Sequence, residues 1–261
     1  MQRSMLALLS LLALLSLLAL PAHAHETWLQ PDKFVVAPTA NVTVRLRITD
    51  GKTVRDANLK PDRILRFELV DAERHTPLPL TSGDVTESSV PMPDAPAVVV
   101  LETEPKHIDL AANKFTAYLR EQGLSEILAE RRKRGEVQKT AREDFMRCMK
   151  TLVSTDAKRL PADRAQGCPY ELVLRKQVSR TLTFETLRHG DTLPGQQVRF
   201  WNLDTGKLVK TLRSDKNGRV SLPLPTGRWL ATSTAMRRSS ELQSDWRSDW
   251  ASLTWQHTAR K

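Results

Sequence analysis

The chain has 261 residues, and 40 lysines and arginines against 30 aspartates and glutamates give it a formal net charge of +10. That length permits one large or two ordinary domains. The excess charge is spread along the chain, and its densest run, residues 131–134, ends a helix-like segment where cations complement the helix dipole, so nucleic-acid binding is not expected.

The first 24 residues are typical of a secretory signal peptide. Arg3 precedes an apolar run of about 15 residues, which is too short to span a membrane. Ala22 and Ala24 are the small residues that signal peptidase requires at positions −3 and −1. The pattern predicts a periplasmic protein that begins at His25. No comparable apolar run follows, so the mature chain is not expected to span the membrane.

A histidine at the N-terminus offers two nitrogen ligands to one ion, its α-amino group and its imidazole. Such ligands suit copper, nickel, cobalt or zinc. Cleavage after Ala22 would instead leave His23-Ala24-His25, which also binds metals but would place the large Leu20 at position −3. An ordinary cleavage site without any metal function explains the same residues, so His25 is a candidate metal ligand and no more.

Residues 25–110 are predicted to form a β-sandwich. Apolar and polar residues alternate over 41–48, as in a half-buried strand. A second strand is predicted at 64–70, with Leu65, Phe67 and Leu69 facing inward. A third is predicted at 97–101, after a proline-rich loop.

Residues 111–155 are predicted to be a helical insert that is broken near Gly135. Apolar residues there recur at the i, i+3, i+4 spacing of an amphipathic helix. They are Phe115, Tyr118, Leu119, Leu124, Ile127 and Leu128, followed by Phe145, Cys148, Met149, Leu152 and Val153.

Residues 156–261 are predicted to form a second β-sandwich. Strands are expected at 171–176, 197–201, 208–212, 219–222, 227–233 and 251–257, with turns at residues 204–206 and 215–218. The predicted fold is thus mainly β with a helical insert, built from two antiparallel Ig-like or transthyretin-like β-sandwiches. Trp246, Trp250 and Trp255 are expected to fill the second core and its edge, although an aromatic ligand-binding patch would use the same residues.

Cys148 and Cys168 are the two cysteines of the chain. In an oxidising compartment this count predicts a single disulfide, and no C-x-x-C spacing supports a metal-thiolate pair instead.

The sequence predicts no enzyme, because it has no zincin histidine pair, no G-x-S-x-G elbow and no G-x-G-x-x-G loop. His107 and His257 are weaker candidates for metal ligands than His25. A copper monooxygenase with an N-terminal histidine would need one of them as its second histidine, and nothing in the sequence brings either one near His25.

Several segments, taken in order, resemble one family of exported bacterial proteins. They are HETWLQP at 25–31, NKFTAYLREQGL at 113–124, EDFMRCMKTLV at 143–153, ELV at 171–173, GRWL at 227–230 and DWRSDWASLT at 245–254. The family carries a domain of unknown function and is associated with nickel and cobalt uptake systems as their periplasmic component.

The resemblance implies a nickel- or cobalt-binding accessory protein that passes its ion to a membrane metal transporter. Family members often carry His-Met after the GxWL strand, where this chain has Ala235-Met236. If that histidine completes a metal site in relatives, this chain lacks it. The alternative is a non-catalytic structural or ligand-binding periplasmic β-sandwich module.

Overall fold

The computed structural model describes residues 26–50, 53–72, 74–80, 83–156, 160–161 and 163–258, and this part of the chain is mainly β with two helices. The strands are β1 (Glu26–Pro31), β2 (Asn41–Thr49), β3 (Val54–Asp56), β4 (Ile64–Asp71), β5 (Arg74–Pro77), β6 (Glu87–Pro91), β7 (Ala97–Thr103), β8 (Lys106–Leu110), β9 (Ala141–Val153), β10 (Tyr170–Val178), β11 (Thr181–Arg188), β12 (Asp191–Thr192), β13 (Gln197–Asn202), β14 (Lys207–Arg213), β15 (Arg219–Pro223), β16 (Gly227–Arg238) and β17 (Trp246–His257). The helices are α1 (Ala112–Glu121) and α2 (Ser125–Lys133). Neither described helix has the length and apolar character needed to cross a membrane.

One nine-stranded sheet extends through the fold in the order β14-β13-β16-β17-β9-β7-β4-β5, with β8 as a further partner of β9. Its neighbouring strands are antiparallel except for β17 and β9, which pair in parallel with Trp250 opposite Arg147. This parallel pair joins the strands of residues 64–153 to those of residues 197–257. The two halves of the chain therefore contribute to one sheet.

Two four-stranded antiparallel sheets cover opposite faces of the nine-stranded sheet. Alternation along β7 separates them. Val99 and Leu101 pack in the core beneath the sheet of β1, β2, β3 and β6, whereas Val98 and Val100 pack in the core beneath the sheet of β10, β11, β12 and β15. We call the first of these faces the β1 face.

The helices cover the β1 face beside β1. Phe115 and Leu119 of α1 pack with Trp246 and Met236, which point to that face from β17 and β16. The sequence motif at 113–124 therefore forms helix α1 and the turn after it, which pack on the β1 face.

The predicted helical insert is right for α1 and α2 but wrong for residues 141–153, which form the 13-residue strand β9. The error has a physical cause. β9 lies in the middle of the sheet, with Cys148 and Leu152 in the core on one side and Met149 and Val153 in the core on the other. A strand buried on both faces loses its period of two, and its apolar residues then fall by chance at helical spacing.

The prediction that Leu65 faces inward is also wrong. Leu65 is 52% exposed, while Phe67 and Leu69 are buried as expected. The pairing of β4 with β7 shifts register between Ile64 and Arg66. Such a bulge reverses the alternation of side chains. Leu65, which lies at the shift, therefore faces solvent, although the alternation of Phe67 and Leu69 would place it in the core.

The predicted disulfide is confirmed. Cys148 and Cys168 are bonded, with their Cα atoms 6.1 Å apart. The bond joins β9, rather than the end of a helix, to the segment that precedes β10.

The three C-terminal tryptophans divide between the two faces. Trp255 is buried in the core beneath β10 and β11, as predicted. Trp246 and Trp250 point to the β1 face and pack beneath the helices, because alternation along β17 places even-numbered residues there. The prediction that the three tryptophans fill the second core and its edge therefore holds for Trp255, whereas Trp246 and Trp250 pack on the opposite face of the sheet.

Candidate functional site

Glu26, the first described residue, is fixed on the β1 face by a buried ion pair. It is 2% exposed, and its Oε1 accepts hydrogen bonds from Nη1 of Arg199 at 2.6 Å and from Nε2 of Gln122 at 3.2 Å. Burial raises the pKa of the Glu26 carboxyl above its usual value, and the charge of Arg199 opposes that shift. Glu26 is therefore held by two other elements of the fold.

The end of α1 supplies one side of this anchor. Gln122 follows the last residue of α1, and while its amide nitrogen donates to Glu26, its Oε1 accepts a hydrogen bond from Thr234 on β16 at 3.1 Å. Arg199 also lies 3.4 Å from Glu121, the last residue of the helix. Helix, sheet and the start of β1 are thus linked through charged and amide side chains.

A second buried carboxyl lies between the same helix and β17. Glu143 of β9 accepts hydrogen bonds from the Tyr118 hydroxyl at 3.1 Å and from the Ser248 hydroxyl. The Trp250 indole donates to Ser248 at 3.1 Å, and its ring stacks on Tyr118 with centroids 5.5 Å apart. Burial raises the pKa of Glu143 to about 6.

Arg147, four residues further along β9, is a cation without a carboxylate partner in the described chain. Its guanidinium carbon lies 4.6 Å from the Phe145 ring centroid and 5.5 Å from that of Trp250. Its Nε is buried and has no hydrogen-bond partner among the described residues. Burial lowers the pKa of Arg147, and the neighbouring Tyr118, Glu26 and Glu143 oppose that shift. Because a guanidinium loses its proton only far above neutral pH, the side chain stays charged at pH 7.

A cleft of about 620 Å³ opens beside Arg147, between the β1-β2 sheet and the nine-stranded sheet. Thr27 and Ile48 line one wall, and Phe145 and Arg147 line the other. The buried side chains of Leu46 and Met149 form part of its apolar lining. This volume lies within the range of small-molecule sites.

The rim of the cleft has an excess of positive charge. Lys60, Arg63 and Lys106 lie there with Asp62 and Asp84. Arg63 is itself held by the backbone carbonyls of residues 104 and 105. With Arg147 inside, four cations face two carboxylates.

The structure does not bring the predicted metal ligands together. His25 lies outside the described residues. His107 is an exposed residue of β8, and its ring nitrogens contact Asp144 at 2.8 Å and Asp109 at 3.3 Å. The hydrogen bond to Asp144 raises the pKa of His107. Two carboxylates therefore hold this imidazole at the sheet edge.

His257 is fully buried at the end of β17, opposite Gly227. Burial lowers the pKa of its imidazole, and the nearby Leu224 backbone opposes that shift. Neither ring nitrogen forms a hydrogen bond of good geometry within the described chain. Alternation along β17 places His257 on the side of Trp255, away from Trp250 and the β1 face. No group of three or more histidine, cysteine, aspartate or glutamate side chains suitable for a metal occurs in the part of the chain that the structure describes.

Ala235 is buried in the core on the face opposite Glu26. It packs in the same core as Tyr170 and Trp255, whereas its neighbour Thr234 contacts Gln122 on the β1 face. A histidine at this place would point into that core. Its absence therefore removes no side chain from the surroundings of Glu26.

Sequence reasoning did not select Glu26, Arg199, Glu143 or Arg147 as site residues. The available signal was their position, because each is a charged residue of a strand at a place where alternation turns its side chain toward the β1 face. The segments at 113–124, 143–153 and 245–254, which carry the resemblance, supply Tyr118, Glu143, Arg147 and Trp250 to one face of the sheet. The structure shows that these three segments, which are separate in the sequence, meet on the β1 face.

A family model described as "Domain of unknown function (DUF4198)" matches residues 22–237 of the chain. No curated protein matches this chain.

Proposed function

This chain belongs to the DUF4198 family of unknown function, and we propose that it is an exported, non-catalytic protein that binds nickel or cobalt at His25 for uptake. In this proposal residues 1–24 are removed on export to the periplasm. The ion is cargo, and a membrane metal transporter receives it. The signal-peptide pattern and the family resemblance support the compartment and the metal.

The observation that carries the proposal is the anchoring of Glu26. Arg199 and Gln122 hold its buried carboxylate, and consecutive Cα atoms are joined at about 3.8 Å. Thr27, one residue further on, lines the cleft. Because His25 is bonded directly to this anchored residue, the free amine that cleavage would create lies within a few ångströms of the Glu26 backbone.

The described residues fit a cargo site better than a closed metal centre. The Glu26 carboxylate is committed to Arg199, and Glu143 is committed to two hydroxyl donors. His25 would therefore provide the amine and the imidazole, and the remaining coordination positions would be left to water or to the receiving protein. An incompletely coordinated ion is easier to release, which suits transfer.

Calorimetric titration of Ni(II) and Co(II) into the mature protein tests this proposal. The mature chain beginning at His25 should bind each ion, and adding one glycine before His25 should weaken binding at least tenfold because the free amine moves away from the imidazole. His25→Ala removes the ring and should have a similar effect. His75→Ala, at an exposed histidine that contacts Glu68, is the matched control and should bind as the mature chain does.

Affinity should also fall as the pH is lowered from about 8 to 6, because amine and imidazole must both lose protons to bind. Equal affinities in the four proteins would contradict the proposal. The alternative, a ligand-binding module without metal, has one observation in its favour, which is the cleft beside Arg147.

A further inference from the structure

The cleft beside Arg147 has the features of a site for an organic anion. Arg147 has no ion-pair partner in the described chain, and the ring centroids of Phe145 and Trp250 lie 4.6 Å and 5.5 Å from its guanidinium carbon. An arginine fork presents paired N–H donors that match the two oxygens of a carboxylate. The Arg147 side chain is partly buried, and a guanidinium withdrawn from water without a partner is costly, so a ligand that supplies the missing charge gains binding free energy there.

The rest of the cleft indicates what the anion is attached to. Leu46, Ile48 and Met149 line it with apolar surface, and Thr103 adds a hydroxyl that accepts the Arg147 backbone N–H at 2.9 Å. A ligand with a charged group alone would leave this apolar surface in contact with water. About 0.8 kcal/mol is gained for each CH₂ group buried against such a surface.

We propose that this cleft binds a small organic acid, with its carboxylate on Arg147 and its apolar body against Leu46, Ile48 and Met149. The lysines at the rim, Lys60 and Lys106, raise the local concentration of anions without contacting the carboxylate. The site is independent of the metal proposal, since none of these residues is a metal ligand in it.

Octanoate is the probe that tests this site, titrated into the metal-free mature protein in the presence of a chelator. Octanoate should bind in a saturable way, with one molecule per chain. Acetate, which has the charge without the apolar body, and 1-octanol, which has the apolar body without the charge, should each bind at least tenfold more weakly.

Two variants separate the contributions of charge and apolar surface. Arg147→Met keeps an unbranched apolar stem without the charge and should weaken octanoate binding at least tenfold. Ile48→Gln should weaken octanoate binding and leave the weak binding of acetate unchanged. Arg142→Met is the matched control, because Arg142 lies on the same strand, is exposed and pairs with Asp245 outside the cleft. It should bind octanoate as the parent does.

Circular dichroism would first establish that each variant is folded. The proposal is overturned if folded Arg147→Met binds octanoate as tightly as the Arg142→Met control, if 1-octanol binds as well as octanoate, or if octanoate does not bind to the parent protein. His25→Ala should leave octanoate binding intact, so failure of the metal site and failure of this site are distinguishable.

Discussion

At the scale of single residues, the β1 face contains two buried carboxyl groups in different situations. Glu26 has a cation at 2.6 Å, whereas Glu143 contacts only hydroxyl donors. A hydroxyl compensates the loss of water less well than a guanidinium does. Burial raises the pKa of both groups, and for Glu143, which has no cation in contact within the described chain, it raises the pKa to about 6.

This raised pKa predicts a pH-dependent stability. Because the pKa of Glu143 is raised from 4.5 to about 6, the folded state retains a proton that the unfolded state releases between these values. The contribution is fully present below pH 4.5 and lost above pH 6, and it amounts to about 2 kcal/mol. Relative to Glu143→Gln, the wild type should lose that amount between pH 4 and pH 7.5.

Urea unfolding of both proteins across this pH range measures the difference. Glu87→Gln, at an exposed position of β6, is the matched control and should follow the wild type. A constant difference between wild type and Glu143→Gln at all pH values would mean that Glu143 does not titrate as its surroundings indicate.

At the scale of elements, the turn between α1 and α2 is fixed against strand β13. Gly123 has a φ of +67°, and a Cβ there would overlap the side-chain amide of Gln197. Gln197 in turn donates to the Glu121 backbone carbonyl at 2.9 Å. The end of α1 is thus packed directly on β13, which also carries Arg199.

Gly123→Ala should therefore destabilise the protein more than a backbone effect alone. The left-handed conformation costs alanine about 1–2 kcal/mol. The Gln197 amide would also have to move and give up its hydrogen bond to the Glu121 carbonyl, which adds about 1 kcal/mol. Gly135→Ala is a close control, since Gly135 has a φ of +66° and no atom within 4 Å of the new Cβ. Equal losses of unfolding free energy in the two variants would show that the contact with Gln197 is unimportant.

The sequence predicted elements with a clear period and failed where burial removes the period. β2, with one face covered, alternates and was recognised, as were both helices. β9, covered on both faces, was mistaken for a helix. The site was not predictable because its contacts join residues far apart, such as Glu26 and Arg199, which are 173 positions apart in the chain.

At the scale of the whole molecule, the parallel pairing of β9 with β17 makes the two halves depend on each other. Residues 156–261 alone would lose β9 as the neighbour of β17 and would lose the helices that cover Trp246 and Trp250. Strand β17 would become an edge strand with exposed aromatic rings, and such edges pair nonspecifically with other chains.

We therefore expect the fragment 156–261 to lack a stable fold, although the sequence pattern suggested a separate sandwich there. Its two-dimensional NMR spectrum should show poor dispersion, whereas the mature chain should give dispersed signals and unfold in one transition by fluorescence and by circular dichroism. A dispersed spectrum and cooperative unfolding of the fragment would instead establish an independent domain.

Also at the scale of the whole molecule, the metal binding that we propose at His25, immediately before Glu26, can be tested directly. The most direct measurement is a crystal structure of the mature protein grown with Ni(II), with anomalous diffraction recorded at the nickel edge. One strong anomalous peak is expected within bonding distance of the His25 amine and imidazole nitrogens. A peak only at His75 or His107, or no peak at the N-terminus of a fully processed chain, would contradict it.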